Sequence, residues 1–393
     1  MAGLLAAAAT PTHAEDAKWG RAAGYPSGWG SPPRLSLHPE RRVANFSGGF
    51  ESMLRTRTIQ AAAALPWRER SAVDLRYRWG LFSRTPDEYL DAYPITGLLI
   101  ARKGEILLEK YRFDRKADMR LTSWSMAKSV TSLLLGIAVD QKRIASMDDT
   151  AETYLPALAG TLHGGTTLRN LGNMSSGAAI EHEQGNTTIY PGALSNRNAS
   201  IADVVKGWNA RQEPQGTRFN YNELCPLTIG MVIRAKTGKS LSEYAQEVLW
   251  QPLGAEANAT WSTDSHGDEF NCIGFAARLR DWARLGQLVA QRGRIEGRQI
   301  VSTAWMDDYS RWEASEAQAR YGNLPGRKGA GYKRFFWHAR ADGTLPYFNG
   351  AYGQRVLVDL RTETVLVQTA VADGAAWQDE LFTMFAAATA VPG

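Results

Sequence analysis

From Val130 to Val139 ten residues pass without a charge, and Ser125-Met126-Ala127-Lys128 stands at their head. A run of that length without a proline predicts a buried helix. Thr122 and Ser123 are both able to cap it. Upstream the pattern changes to strand. Ile95 to Ala101 is one strand, Arg102-Lys103-Gly104 the turn and Glu105 to Tyr111 the next. Downstream, Thr166 to Met174 reads as a capped helix running into Ser175-Ser176-Gly177. Leu224 to Lys236 has helical spacing and stops at Gly238; Leu241 to Leu249 is closed by Gln251-Pro252; Arg280 to Ala290 repeats the pattern. Strands return at Arg355–Leu360 and Thr364–Thr369, and a last helix runs from Trp377 to about Ala388.

That order predicts an α+β fold: an antiparallel sheet flanked by helices, built from both ends of the chain, with a mostly helical domain inserted. Residues 51–120 and 268–393 are assigned to the sheet domain and 121–267 to the helical insert. Residues 15–50, rich in Gly, Pro, Ser and Trp, read as an irregular arm over the surface, so that 1–50 forms an N-terminal extension.

Composition narrows the function. The 393 residues are 44% hydrophobic and 22% charged, enough to bury a large core. The net charge of +5 comes from Lys and Arg scattered among acids, which speaks for solubility and against nucleic-acid binding. Thirteen tryptophans suit core packing better than a cleft lining. Cys225 and Cys272 cannot make a disulfide framework; they read as small buried side chains, with one bridge open in an oxidising compartment. Residues 1–9 are apolar, and small residues follow around Thr12-His13-Ala14, but no basic segment precedes them. They read either as the remnant of a secretory signal, which places the protein in the periplasm or outside the cell, or as an Ala-rich tail on a cytoplasmic one. Elsewhere no run approaches the ~20 apolar residues of a membrane span.

The chemistry begins at Ser125. Residues three apart share a helix face, so the Lys128 amine meets the Ser125 hydroxyl. Apolar surroundings favour the neutral amine, which can accept the serine's proton and make it a nucleophile. Ser-x-x-Lys alone recurs by chance. Here it is followed by Lys142-Arg143-Ile144-Ala145-Ser146-Met147-Asp148-Asp149, Tyr154-Leu155-Pro156, the Thr167–Met174 helix and Ser175-Ser176-Gly177. This ordered series, over about residues 90 to 390, resembles the serine β-lactamase and penicillin-binding-protein superfamily. It is most similar to the class C branch, which includes family VIII esterases and aminohexanoate-dimer hydrolases.

The resemblance implies further roles. The second motif, a tyrosine followed two residues later by asparagine, falls on Tyr221-Asn222-Glu223, which makes Tyr221 the general acid/base. A phenol ordinarily titrates near pH 10, and cationic Lys128 would bring Tyr221 down. Glu223 stands in place of the asparagine, and Asn222 is left to bond substrate. The third motif falls on Tyr352-Gly353-Gln354, after Asn349-Gly350-Ala351. A backbone amide of Ala351, Tyr352 or Gly353 would join the Ser125 amide as an oxyanion hole; one such donor is typically worth about 3–4 kcal/mol. Glu181, Tyr190, Trp337 and Gln354 complete the expected substrate wall, though a solvated loop accounts equally well for Glu181-His182-Glu183.

Other readings fall away. Lys236-Thr237-Gly238 imitates a third motif but sits at a helix end. Gly238-Lys239-Ser240 lacks the glycine a P-loop needs, position 233 being isoleucine. No Gly-x-Ser-x-Gly elbow is present, and the six histidines have no metal-ligand spacing. The expectation is a serine hydrolase that needs neither metal nor organic cofactor and takes a small ester or amide. A carboxylesterase or linear-amide hydrolase leads; a β-lactamase or D-alanyl-D-alanine carboxypeptidase follows; a penicillin-binding sensor that acylates without turnover is the rival from another class. Oligomeric state is not encoded in any of these motifs.

Overall fold

The computed structural model describes residues 17–29, 38–69, 73–180, 200–324 and 330–391. Its centre is an eight-stranded sheet. In chain order the strands are β1 (Arg68–Glu69), β2 (Ile95–Arg102), β3 (Glu105–Tyr111), β4 (Gly331–Lys333), β5 (Phe336–His338), β6 (Pro346–Gly350), β7 (Gln354–Asp359) and β8 (Thr364–Ala370). In space they run β4-β5-β6-β7-β8-β2-β3-β1. Both ends of the chain thus meet at the β8–β2 pair, and every neighbouring pair is antiparallel except β1–β3. All eight residues of β2 are buried, which is why its middle, Leu98 to Ala101, is a continuous apolar run and not an alternating one.

Four helices position the site: α1 (Met126–Asp140), α2 (Leu224–Thr237), α3 (Leu279–Ala290) and α4 (Gln378–Ala390). Helix α3 lies against the sheet at Gly286, where an added Cβ would stand 2.5 Å from a Val365 methyl. The end of α4 is held by Arg102, whose guanidinium donates to the Ala388 carbonyl at 2.6 Å and to that of Val391. A cation there also opposes the negative end of the helix dipole. In α1, Met126 to Ala138 are all buried, so the helix is apolar all round and runs through the interior. Helix α2 packs beside α1 and ends at Gly238, whose φ of 68° is the left-handed cap that closes the Lys-Thr-Gly imitation.

Within the mostly helical stretch 121–267, Leu121–Thr122 and Ala259–Ser262 join Thr56–Ile59 and Phe275–Ala277 in a four-stranded sheet. Two expectations change. Neither Thr122 nor Ser123 caps α1. Thr122 is in a strand, and Ser125 holds the N-cap position with no side-chain capping bond, which leaves its hydroxyl free for other partners. Residues 38–50 of the N-terminal arm do not wrap the surface. Helical turns at Pro39–Ala44, Asn45–Gly49 and Phe50–Met53 bury Arg42, Val43, Phe46 and Phe50. Among the described residues no helix is long and apolar enough to cross a membrane.

Candidate active site

A strained turn presents Ser125. The Ser123 amide donates to the Phe275 carbonyl at 2.7 Å and its hydroxyl to that of Ile273 at 2.9 Å, which anchors the approach. Trp124 then adopts φ 44°, a left-handed conformation that costs a bulky residue energy. Aromatic packing holds it there: Phe46, Tyr352 and Phe50 lie 5.3, 5.2 and 6.0 Å from its ring. Helix α1 starts one residue after Ser125.

The predicted trio converges. Lys128 Nζ donates to Ser125 Oγ at 2.9 Å and to the Cys272 carbonyl at 3.0 Å. The Tyr221 phenol is hydrogen-bonded to both Ser125 and Lys128, and the ammonium lies 4.9 Å from the Tyr221 ring centroid. Both bonds favour the phenolate form. The rings of Trp337 (5.6 Å), Tyr332 (6.0 Å) and Phe219 (6.4 Å) back Tyr221.

The protonation states differ from those expected. Burial draws the Lys128 amine down, but the Glu223 carboxylate, with Tyr221 and Cys272, more than reverses this, and the amine is held well above its ordinary value. Glu223 Oε2 is 2.5 Å from Nζ, with both side chains almost fully buried. Lys128 is therefore an ammonium and not the neutral base its apolar surroundings suggested. For Tyr221, burial raises the phenol, Lys128 lowers it and Glu223 raises it again; the net shift is upward. The expectation that Lys128 would bring it below its ordinary value fails because burial outweighs the lysine's field, and Glu223 cancels part of that field.

The third segment meets the first. Gly350, at the end of β6, touches Ser123: an added Cβ there would lie 2.3 Å from the Ser123 carbonyl oxygen. Ala351–Gly353 then forms a short 3-10 turn with Tyr352 at φ 59° and Gly353 at φ 94°. Ser125 caps α1 and Ala351 opens this turn, so neither amide is used inside its own helix.

Several expected substrate contacts are internal. Asn222 is 1% exposed; its amide donates to the Asn220 carbonyl at 2.8 Å and its oxygen accepts from the Cys225 amide at 3.1 Å, in the first turn of α2. Glu223 faces Lys128. Gln354 brackets two strand ends, donating to the Ala351 and Ala370 carbonyls and accepting from the Ala370 amide. Trp337 is 2% exposed and supports Tyr221. Glu181 and Tyr190 lie outside the described residues. Both cysteines are free and buried. Sequence reasoning missed Arg42, Phe46 and Phe50, which reach the site from about 80 residues upstream with no motif to mark them.

A family model described as Beta-lactamase matches residues 82–380. The chain belongs to the beta-lactamase family. It is a family of hydrolases with this α+β architecture. A 6-aminohexanoate-dimer hydrolase from Paenarthrobacter ureafaciens is 25% identical over 302 residues, 73% of this chain and 76% of the relative. A solved structure from Bacillus anthracis, provisionally assigned as a 6-aminohexanoate-dimer hydrolase, superposes with TM-score 0.79 at 23% identity, covering 92% of this chain and 95% of that one. A family VIII carboxylesterase superposes with TM-score 0.61 at 16% identity over 77% and 94% of the two chains.

Proposed function

We propose that the protein is a serine hydrolase that cleaves a small ester or linear amide through an acyl-enzyme on Ser125. One observation carries the reading: Ser125 Oγ, Lys128 Nζ and the Tyr221 phenol form a closed hydrogen-bonded triangle. Ser125 Oγ attacks the carbonyl carbon and its proton passes to Tyr221, in the fraction of molecules where that residue is phenolate. Lys128 stays an ammonium and steadies the phenolate. The tetrahedral oxyanion is held by the amides of Ser125 and Ala351. As the intermediate collapses, Tyr221 returns the proton to the leaving oxygen or nitrogen. Water then attacks the acyl-enzyme, again losing its proton to Tyr221, and the acid is released.

Ester or linear-amide substrates are favoured over β-lactams and D-alanyl-D-alanine peptides on two grounds. The third motif, Tyr352-Gly353-Gln354, has no lysine to receive a substrate carboxylate, and the second has Glu223 where substrate-binding asparagine is expected. The 25% relative named for 6-aminohexanoate dimer points the same way. The test is a panel of short p-nitrophenyl esters, an aminohexanoate dimer and nitrocefin, run beside Ser125→Ala. The ester or dimer should turn over and the variant should be inactive. Rapid cleavage of nitrocefin alone reverses the ranking, and a near-normal kcat in the variant ends the assignment. A stable adduct on Ser125 that never turns over identifies the sensor instead.

A further inference from the structure

We infer that Glu223 is a positioning residue for the reaction: its buried carboxylate fixes the charge on Lys128 and thereby sets the pH at which Tyr221 becomes a base. The inference rests on the serine-hydrolase reading and deepens it. Glu223 is 1% exposed, and Lys128 is its ion-pair partner at 2.5 Å. It also takes a hydrogen bond from the Cys272 thiol, while the Cys272 carbonyl accepts from the same lysine. One residue of the loop before Phe275–Ala277 thus clasps both members of the pair. Glu223 is the N-cap residue of α2, where the helix dipole favours a negative charge.

The consequence is electrostatic. An unpaired ammonium against the Tyr221 ring would favour the phenolate strongly. With Glu223 in contact, the pair is neutral overall and part of the lysine's field at the phenol is cancelled. The titratable and charged groups that face the pair among the described residues are Tyr221 on the adjoining loop, Cys225 on α2, Cys272 from the strand loop and Tyr332 from the β4–β5 hairpin, behind Tyr221. None of these is a second cation, so nothing on those elements offsets the loss of a negative charge at Glu223.

The experiment follows the rate at which a fluorophosphonate probe labels Ser125 as pH is varied, in wild type, Glu223→Gln, Glu223→Asn and Glu223→Asp. Circular dichroism verifies the fold of each. The probe needs an activated serine but no knowledge of the natural substrate. In the neutral variants the acid limb of the profile should move to lower pH by about one to three units. Glu223→Asp, which keeps the charge, should stay near wild type. Glu223→Asn keeps the test available if the glutamine variant does not fold. A lower plateau with an unmoved limb would show that Glu223 merely props the site, and a limb moved to higher pH would contradict the sign; either overturns the inference. Failure is distinguishable from failure of the underlying reading: if wild type is not labelled at Ser125, the hydrolase assignment falls and takes this inference with it.

Discussion

The guanidinium of Arg42 lies over the ring of Tyr352, 4.6 Å from its centroid, and joins the N-terminal segment to the third motif. The same side chain donates to the Val371 carbonyl at 3.2 Å and to Asp373 at 2.6 Å, on the strand end that follows β8. Tyr352 in turn accepts from the Ala372 amide through its carbonyl. Arg42 therefore holds Tyr352 from its ring side while the backbone holds it from the other.

Arg42→Met should remove the cation over the ring and both hydrogen bonds. The expected loss is about 1–2 kcal/mol of stability, with a fall in kcat/KM from a loosened third motif. Calorimetry and ester kinetics measure the two. Arg41→Met, on a neighbouring and more exposed side chain, should have a much smaller effect on both.

Lys128→Met should be costly to the fold as well as to activity. It leaves Glu223 buried without its cation. Breaking one partner of a buried pair costs about 3–5 kcal/mol. Adding Glu223→Gln to Lys128→Met should recover much of that stability and none of the activity. Urea midpoints of the two single variants and the double variant test the coupling.

Gly350→Ala should damage the site more than the fold. The new methyl would press on the Ser123 carbonyl, a backbone atom that cannot rotate away. Overpacking of this kind costs about 1–3 kcal/mol. Because Ser123 anchors the turn into Ser125, probe labelling of Ser125 should fall by more than the shift in melting temperature implies.

His163 and His338 predict acid sensitivity. Burial pushes each down to about 3 in the folded chain, against about 6.5 when unfolded. Below pH 6.5 the unfolded chain takes up protons that the folded chain refuses, so this contribution is full above pH 6.5 and is lost between about 6.5 and 3. Burial holds Asp281 at about 7, and its contribution runs the other way, lost as pH rises from about 4 to 7. His338 packs between Tyr309 and Trp312, so His338→Phe fits an aromatic site. Denaturation midpoints across this range should fall less steeply with acid in the variant than in wild type.

Much of this was legible from local pattern. Helix α2 and its glycine cap, the β2–β3 hairpin and the β7–β8 pair were read close to their observed bounds, because each carries its own periodicity and its own stop signal. The strands Ala259–Ser262 and Pro346–Gly350 were not, since they are short and their pairing depends on partners distant in sequence. Gln354 reads as wall because it ends the third motif, and Trp337 because it is an aromatic on the strand leading towards that motif. Side-chain direction then turned them inward, and nothing in the order of residues encodes that direction.

The sequence alone determined which groups are available: a serine and a lysine one helical turn apart, and a tyrosine ahead of a capped helix. Helix geometry makes the first pairing local. Whether the lysine is charged, whether the phenol starts as an acid or a base, and that an arginine from the N-terminal segment braces the far edge were decided only by the tertiary structure. Those properties depend on fields and contacts over a few ångströms between residues as much as 310 positions apart, and the strength of such fields is set by burial, which exists only once the chain has folded.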